Sequence, residues 1–167
     1  MDKEHTCCFT GHRKLPKDRL ENIVIRLNRE IDTLISQGVT TFISGGALGF
    51  DQIAASLIIA KKEMGKNIKL IFALPCKNQT NCWNSKQKRL YNSLLLQADE
   101  VIYTSEHYSD DCMKKRNHFM VDSSAYCICA KLYPNSGTEQ TVKYAIERGL
   151  KVINVAKPDF PLYILKL

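Results

Sequence analysis

The chain predicts an α/β fold, a doubly wound, mostly parallel sheet of about six strands with helices on both faces. Three observations predict it. Short β-branched, apolar runs alternate with amphipathic stretches at helical spacing, joined by short connections. The second such run breaks into a glycine-rich turn, Ser44-Gly45-Gly46-Ala47-Leu48-Gly49-Phe50-Asp51, and then re-enters a helical pattern. Each unusual motif of the chain follows a strand, and in open α/β sheets ligands bind at the carboxyl ends of strands.

The elements follow in order. Residues 6–10 form a β-rich run closed by Gly11; Leu20, Ile23, Val24, Leu27, Ile31, Leu34 and Ile35 then share one helical face until Gln37-Gly38 stops the pattern. Residues 40–43 form the second strand. Ile53, Ala54, Leu57, Ile58 and Lys61 continue as a helix ended at Gly65. Residues 68–74 are apolar after Ile68-Lys69, as in a strand buried on both faces, and Pro75 ends the run. A helix is expected over residues 82–97, a fourth strand over Glu100–Tyr103, and a helix over Cys112–Asp122 with Asp110 or Asp111 as its N-cap. Residues 125–131 form the fifth strand. Val142, Ala145 and Ile146 mark a last helix closing at Gly149, and residues 151–156 a sixth strand. One domain is expected over residues 1–167, with residues 158–167 as a tail laid over it.

Composition narrows the function classes. A chain of 167 residues with 44% hydrophobic and 25% charged residues has room for a core without staples. Its net charge of +7 favours an acidic partner without specifying one. The seven cysteines are odd in number and form no C-x-x-C pair, so they read as reduced thiols; Cys127 and Cys129 would need two further ligands to hold zinc, and no metal is expected. No apolar run reaches the length of a membrane span and no signal peptide opens the chain, so a soluble cytoplasmic protein is expected.

The glycine turn matches neither of two familiar nucleotide motifs. Thr10-Gly11-His12-Arg13-Lys14-Leu15 after the first strand is not G-x-G-x-x-G, and no Gly-Lys-Ser/Thr occurs anywhere. Nicotinamide dinucleotides and a Walker-type NTP site are thereby disfavoured, and no cofactor is expected. Three glycines still exceed what a plain strand-to-helix turn requires, so Gly45, Gly46 and Gly49 are read as ligand contacts, presenting helix N–H groups to an anion. Asp51 falls in the first helical turn, where a carboxylate is either stabilised by the helix dipole or hydrogen-bonded to ribose. Arg13, and Arg116 in Lys114-Lys115-Arg116-Asn117, are candidate phosphate grips, since a guanidinium offers two parallel donors. Ser136-Gly137-Thr138-Glu139 has capping-box spacing, in which Ser136 and Glu139 satisfy each other's backbone N–H. Trp83 and Tyr108 sit on loops at the expected site edge, either as platforms for a base or as caps on the core. His12 and His107 read as ordinary loop histidines.

Taken together and in this order, Thr10-Gly11-His12-Arg13, Ser44-Gly45-Gly46-Ala47-Leu48-Gly49-Phe50-Asp51, Pro75 after the third strand, Lys115-Arg116-Asn117 before the fifth, and Ser136-Gly137-Thr138 resemble the SLOG superfamily, and most closely its YspA/YpsA-like branch. That superfamily also holds the LOG phosphoribohydrolases and the core of the DNA-processing protein DprA. The resemblance implies a Rossmann-like domain with a pocket for a nucleotide or nucleotide-derived small molecule, formed by Thr10, Gly11, Arg13, Ser44, Gly45, Gly46, Gly49, Asp51, Pro75, Arg116, Asn117, Ser136, Gly137 and Thr138. It also implies dimerisation through a helix face. Met113-Lys114-Lys115-Arg116-Asn117 is similar to the M-x-x-R-K helix of LOG enzymes, but their P-G-G-x-G-T-x-x-E motif is incomplete. Pro134-Asn135-Ser136-Gly137 lacks the double glycine, and Thr141 stands at the place of the glutamate. Arg116, Asp51 and Glu139 are the catalytic candidates if the chain is an enzyme. Three readings follow from the resemblance, in order of preference: a nucleotide-ligand binding or sensing module, a nucleoside-monophosphate phosphoribohydrolase, and a DprA-like binder of single-stranded DNA. Nucleic acid ranks below a small molecule because the basic residues are scattered without aromatic interleaving.

Overall fold

A computed structural model describes residues 1–157 of the chain; the expected tail, residues 158–167, lies outside the described residues. After a single 3₁₀ turn the described residues alternate strand and helix: β1 (Thr6–Gly11), α1 (Lys17–Ser36), β2 (Thr41–Ser44), α2 (Phe50–Glu63), β3 (Lys69–Leu74), α3 (Ser85–Leu96), β4 (Glu100–Tyr103), α4 (Cys112–Asp122), β5 (Tyr126–Ala130), α5 (Gly137–Glu147) and β6 (Lys151–Asn154). The strands form one sheet in the order β4-β3-β2-β1-β5-β6. All five pairings are parallel, so the sheet is parallel throughout rather than mostly so.

Period-two alternation divides the sheet between two cores. Cys7 and Phe9 of β1, Phe42 of β2, Leu70, Phe72 and Leu74 of β3 and Ile128 of β5 meet Ile23, Leu27, Ile31 and Leu34 of α1, together with the buried faces of α2 and α3. Cys8, Ile43, Ile71, Ala73, Cys127 and Cys129 point the other way, against Met120 and Val121 of α4 and Val142 and Ala145 of α5. The strand thiols are thus core residues in a reduced, apolar setting. Burial pushes Cys7 up and Cys129 up to about 12, while a hydrogen bond with Cys8 is the largest cause that raises Cys127, so these sulfurs stay protonated.

One expected helix start and one expected N-cap hydrogen bond differ from the structure. The helix over residues 82–97 begins at Ser85 instead, because Asn84 forms a full capping box with Gln87: its side chain accepts from Gln87 N (2.8 Å), and the Gln87 side chain accepts from Asn84 N (3.0 Å). Asp111 occupies the N-cap position of α4 without capping it. Its carboxylate accepts from the Ser109 hydroxyl at 2.7 Å and faces Lys115 at 3.6 Å, leaving the helix N–H groups to other partners. Among the described residues no helix is long and apolar enough to cross a membrane.

Candidate functional site

β1 and β5 lie side by side, yet the helices that follow them leave to opposite faces of the sheet, α1 to one and α5 to the other. Their carboxyl ends therefore part and leave a crevice at the switch in strand order, where open α/β sheets bind ligands. A cavity of about 310 Å³ occupies it. The end of β1 supplies Thr10 and Gly11 and the loop after it His12 and Arg13; the turn after β2 supplies Ala47 and the first turn of α2 Asp51; α4 supplies Met113, Arg116 and Asn117; and the start of α5 supplies Ser136, Gly137 and Thr138. Phe9 completes the lining from β1.

The charges are unevenly exposed. Arg116 is 5% exposed and Asp51 is 6% exposed, whereas Arg13 is open to solvent. Arg116 is fixed from three sides: Nε donates to Asn117 Oδ1 (2.8 Å), Nη1 to the Gly45 carbonyl (2.5 Å), and Nη2 faces the Met113 sulfur at 3.7 Å. Asp51 Oδ2 accepts from Ala47 N at 3.4 Å. Burial pushes the Asp51 carboxyl up to about 6, against the opposing pull of the Arg116 guanidinium, the Ala47 N–H and Arg13. Burial likewise lowers Arg116, and the Asp51 carboxylate works against that loss.

At α5 the capping box is only half formed. Ser136 Oγ accepts from Glu139 N at 3.1 Å, but the Glu139 carboxylate accepts from Asn135 N at 2.7 Å, one residue earlier than the motif requires. Asn135 adopts φ 54°, and that left-handed turn swings its own N–H toward Glu139 in place of the N-cap N–H. Among the described residues the N–H groups of Gly137 and Thr138 have no acceptor, as first-turn helix donors do when nothing caps them. Gly137 faces open space. The first turn of α5 thus places two unpaired donors, an exposed one at Gly137 and a buried one at Thr138, at the crevice wall.

The glycine turn after β2 does other work than expected. Phe50 N of α2 donates to the His12 carbonyl at 3.2 Å, so the first N–H of this helix is taken up by protein. Gly49 has φ 82°, and a Cβ there would run into the backbone carbonyls of Arg13 and His12. Gly45 leaves the room that the Arg116 guanidinium and the Asp51 carboxylate fill, and Gly46 lies against Leu74, Tyr91 and Phe72. The turn is held from within: Ser44 Oγ donates to the Asp51 carbonyl (2.9 Å) and accepts from Gly46 N (3.2 Å), while Gln52 Nε2 donates to the Gly46 carbonyl (3.2 Å). Ser44, Gly45, Gly46 and Gly49 are not among the residues that line this cavity, and the neighbours described for them are protein groups in close packing.

Other expectations are redistributed. Pro75 is buried away from the crevice. Glu139 is outside it, tied to Asn135 N and 3.4 Å from Lys131. Thr141, at the place of the LOG glutamate, turns its hydroxyl back to the Gly137 carbonyl at 2.9 Å. Trp83 packs edge-on against Tyr91 with ring centroids 5.2 Å apart, beside the α1–α3 core, and Tyr108 is 63% exposed; neither lines the crevice. His12, read as an ordinary loop residue, is instead a brace. Its Nε2 accepts from Leu132 N (2.9 Å) and Tyr133 N (3.3 Å), joining the loop after β1 to the loop after β5, and its ring lies on that of Tyr133. Burial lowers its pKa, which keeps the accepting nitrogen free of a proton. Nothing in the spacing of Thr10-Gly11-His12-Arg13 signals a partner that lies 120 residues away.

Comparison with known proteins sets this geometry in a family. The chain is 35% identical over 116 residues to the SPbeta prophage-derived protein YoqJ of Bacillus subtilis, covering 62% of this chain and 68% of that one. It is 27% identical over 134 residues to a UPF0398 protein of Bacillus cereus, covering 79% and 71%. Among solved structures, DNA processing protein A (DprA) of Streptococcus pneumoniae matches with a TM-score of 0.63 at 17% identity, over 94% of this chain and 51% of that one. DprA of Helicobacter pylori, described for its single-stranded DNA binding mode, matches at 0.62 and 18%, over 90% and 65%. The chain thus spans about half to under two thirds of the solved proteins it matches, and at these identities the likeness is one of fold. The model of the YspA SLOG family matches residues 8–163, nearly the whole sequence, and the chain belongs to that family.

Proposed function

We propose that the crevice between β1 and β5 binds a nucleotide or nucleotide-derived small molecule through an anionic group. One observation carries the reading: the first turn of α5 with its unpaired Gly137 and Thr138 N–H groups, the exposed Arg13 and the buried Arg116 converge on a single cavity at the switch in strand order. Backbone N–H donors at a helix start, aided by guanidinium groups, form a recurrent cradle for phosphate. Thr10 and Asn117, on facing walls, are placed to meet the sugar or base.

Binding is preferred to cleavage of an N-glycosidic bond. Such cleavage passes through an oxocarbenium-like state that needs a carboxylate beside the sugar. Glu139 is engaged elsewhere and Thr141 carries no acid; Asp51 is the carboxylate that lines the cavity among the described residues, and it is turned toward Ala47 N.

A second reading, single-stranded nucleic acid, has support in the net charge of +7 and in the description of the H. pylori protein. A melting-temperature panel separates the two. Mononucleotides and their derivatives are expected to raise Tm by several degrees at a hundredfold excess over Kd, and Arg13→Ala to remove most of the shift. A panel of nucleotides without effect, beside a salt-sensitive shift with an oligonucleotide, would replace the first reading by the second.

A further inference from the structure

The charges around the crevice do not match a simple anion site, because a buried carboxylate stands among its cations. Asp51 faces Arg116 from α4 and Arg13 from the loop after β1. His12 lines the same cavity from that loop, and α5 contributes only Ser136, Gly137 and Thr138, none of which titrates. Tyr91 of α3 and Cys112 of α4 lie behind Arg116. With Asp51 ionised, the two guanidinium groups and the carboxylate sum to one positive charge; with Asp51 protonated they sum to two.

We propose that Asp51 takes up a proton when the crevice binds a dianionic phosphate, so that the site is built for a terminal phosphomonoester rather than for a backbone phosphodiester. The inference rests on the anion-binding reading above and adds to it the charge class of the ligand. The geometry leaves Asp51 little alternative. It is 6% exposed, it cannot turn to water, and Arg116 is already committed to the Gly45 carbonyl and to Asn117. A dianion brought to Arg13, Arg116 and the first turn of α5 would share a cavity of about 310 Å³ with the carboxylate, and a like charge in one site raises a carboxyl strongly. The starting value is already about 6, so protonation at neutral pH costs about a tenfold factor in affinity, less than the repulsion it removes. A monoanionic diester exerts a weaker push and gains nothing from the second positive charge.

Sulfate is a suitable probe, being a dianion with no proton of its own near neutral pH. In the protein labelled with ¹³C, the Asp51 carboxyl resonance is expected to titrate near 6 without ligand and at least one unit higher at saturating sulfate or adenosine 5′-monophosphate. Sulfate affinity is expected to weaken about fivefold or more between pH 6 and 8. His12→Gln, which removes the other titrating group on the cavity, should leave that slope in place, and Asp51→Asn should flatten it. Should the nucleotide bind with the Asp51 titration unmoved, or a short oligonucleotide bind more tightly than the monophosphate, this inference falls while the crevice remains a binding site. Should neither anion perturb the Gly137 and Thr138 amides, both readings fall.

Discussion

Arg116→Met is expected to lower stability by about 3 kcal/mol at pH 8, and by clearly less at pH 5, in urea unfolding monitored at both values. The side chain is buried and its volume is roughly conserved, so the loss is not one of packing. It removes the strongest charge opposing the burial of Asp51 and orphans the Gly45 carbonyl. The sign follows from linkage. Without Arg116 the folded-state pKa of Asp51 rises further above its unfolded value, so the folded state holds the proton to higher pH. The added penalty is absent while Asp51 is protonated in both folded proteins, appears as pH climbs past about 6, the value with Arg116 present, and is complete above the raised value of the variant. A loss equal at both pH values would show that Arg116 acts through hydrogen bonds alone. Ligand affinity should fall about a hundredfold in the same variant, the scale of a lost charge-assisted contact.

Gly49→Ala is expected to destabilise by about 3 kcal/mol, although it adds a single methyl group. At φ 82° an alanine is strained on its own account, and its Cβ would press on the main chain of His12 and Arg13, which cannot yield as a side chain can. The loop after β1 would move, and with it the His12 brace to Leu132 and Tyr133. Gly137→Ala provides the contrast. Its Cβ would meet nothing, so stability should change by well under 1 kcal/mol. Chemical denaturation of the two variants side by side decides the point, and equal losses would show that the turn after β2 is not the rigid part of the site.

The two glycine motifs look alike in the sequence and are used in opposite ways. The strand and helix periods could be read directly, because burial on two sheet faces imposes them residue by residue: Ile23, Leu27, Ile31 and Leu34 face the core as their spacing requires. The gathering of Thr10, Arg13, Asp51 and Ser136–Thr138 at one cavity could be read too, since each follows or flanks a strand end; Arg116 and Asn117 lie within α4, and the family resemblance rather than their position points to them. What could not be read is which helix start remains open. That depends on the His12 carbonyl reaching Phe50 N across the sheet, and on Asn135 turning left-handed ahead of α5. Both are tertiary events with no local signature. The half-formed box at Ser136 illustrates the limit: the residue types and spacing are correct, and a single φ decides which N–H Glu139 receives.

The most direct test of the binding site is a backbone amide titration of the ¹⁵N-labelled protein with a nucleoside 5′-monophosphate. The account predicts that the largest shifts fall on Gly137 and Thr138, followed by Gly11, His12 and Arg13, with Gly45 and Gly46 moving less because their amides face protein. Largest shifts in the glycine turn after β2, or on the surface of α1 and α3 remote from the crevice, would contradict it.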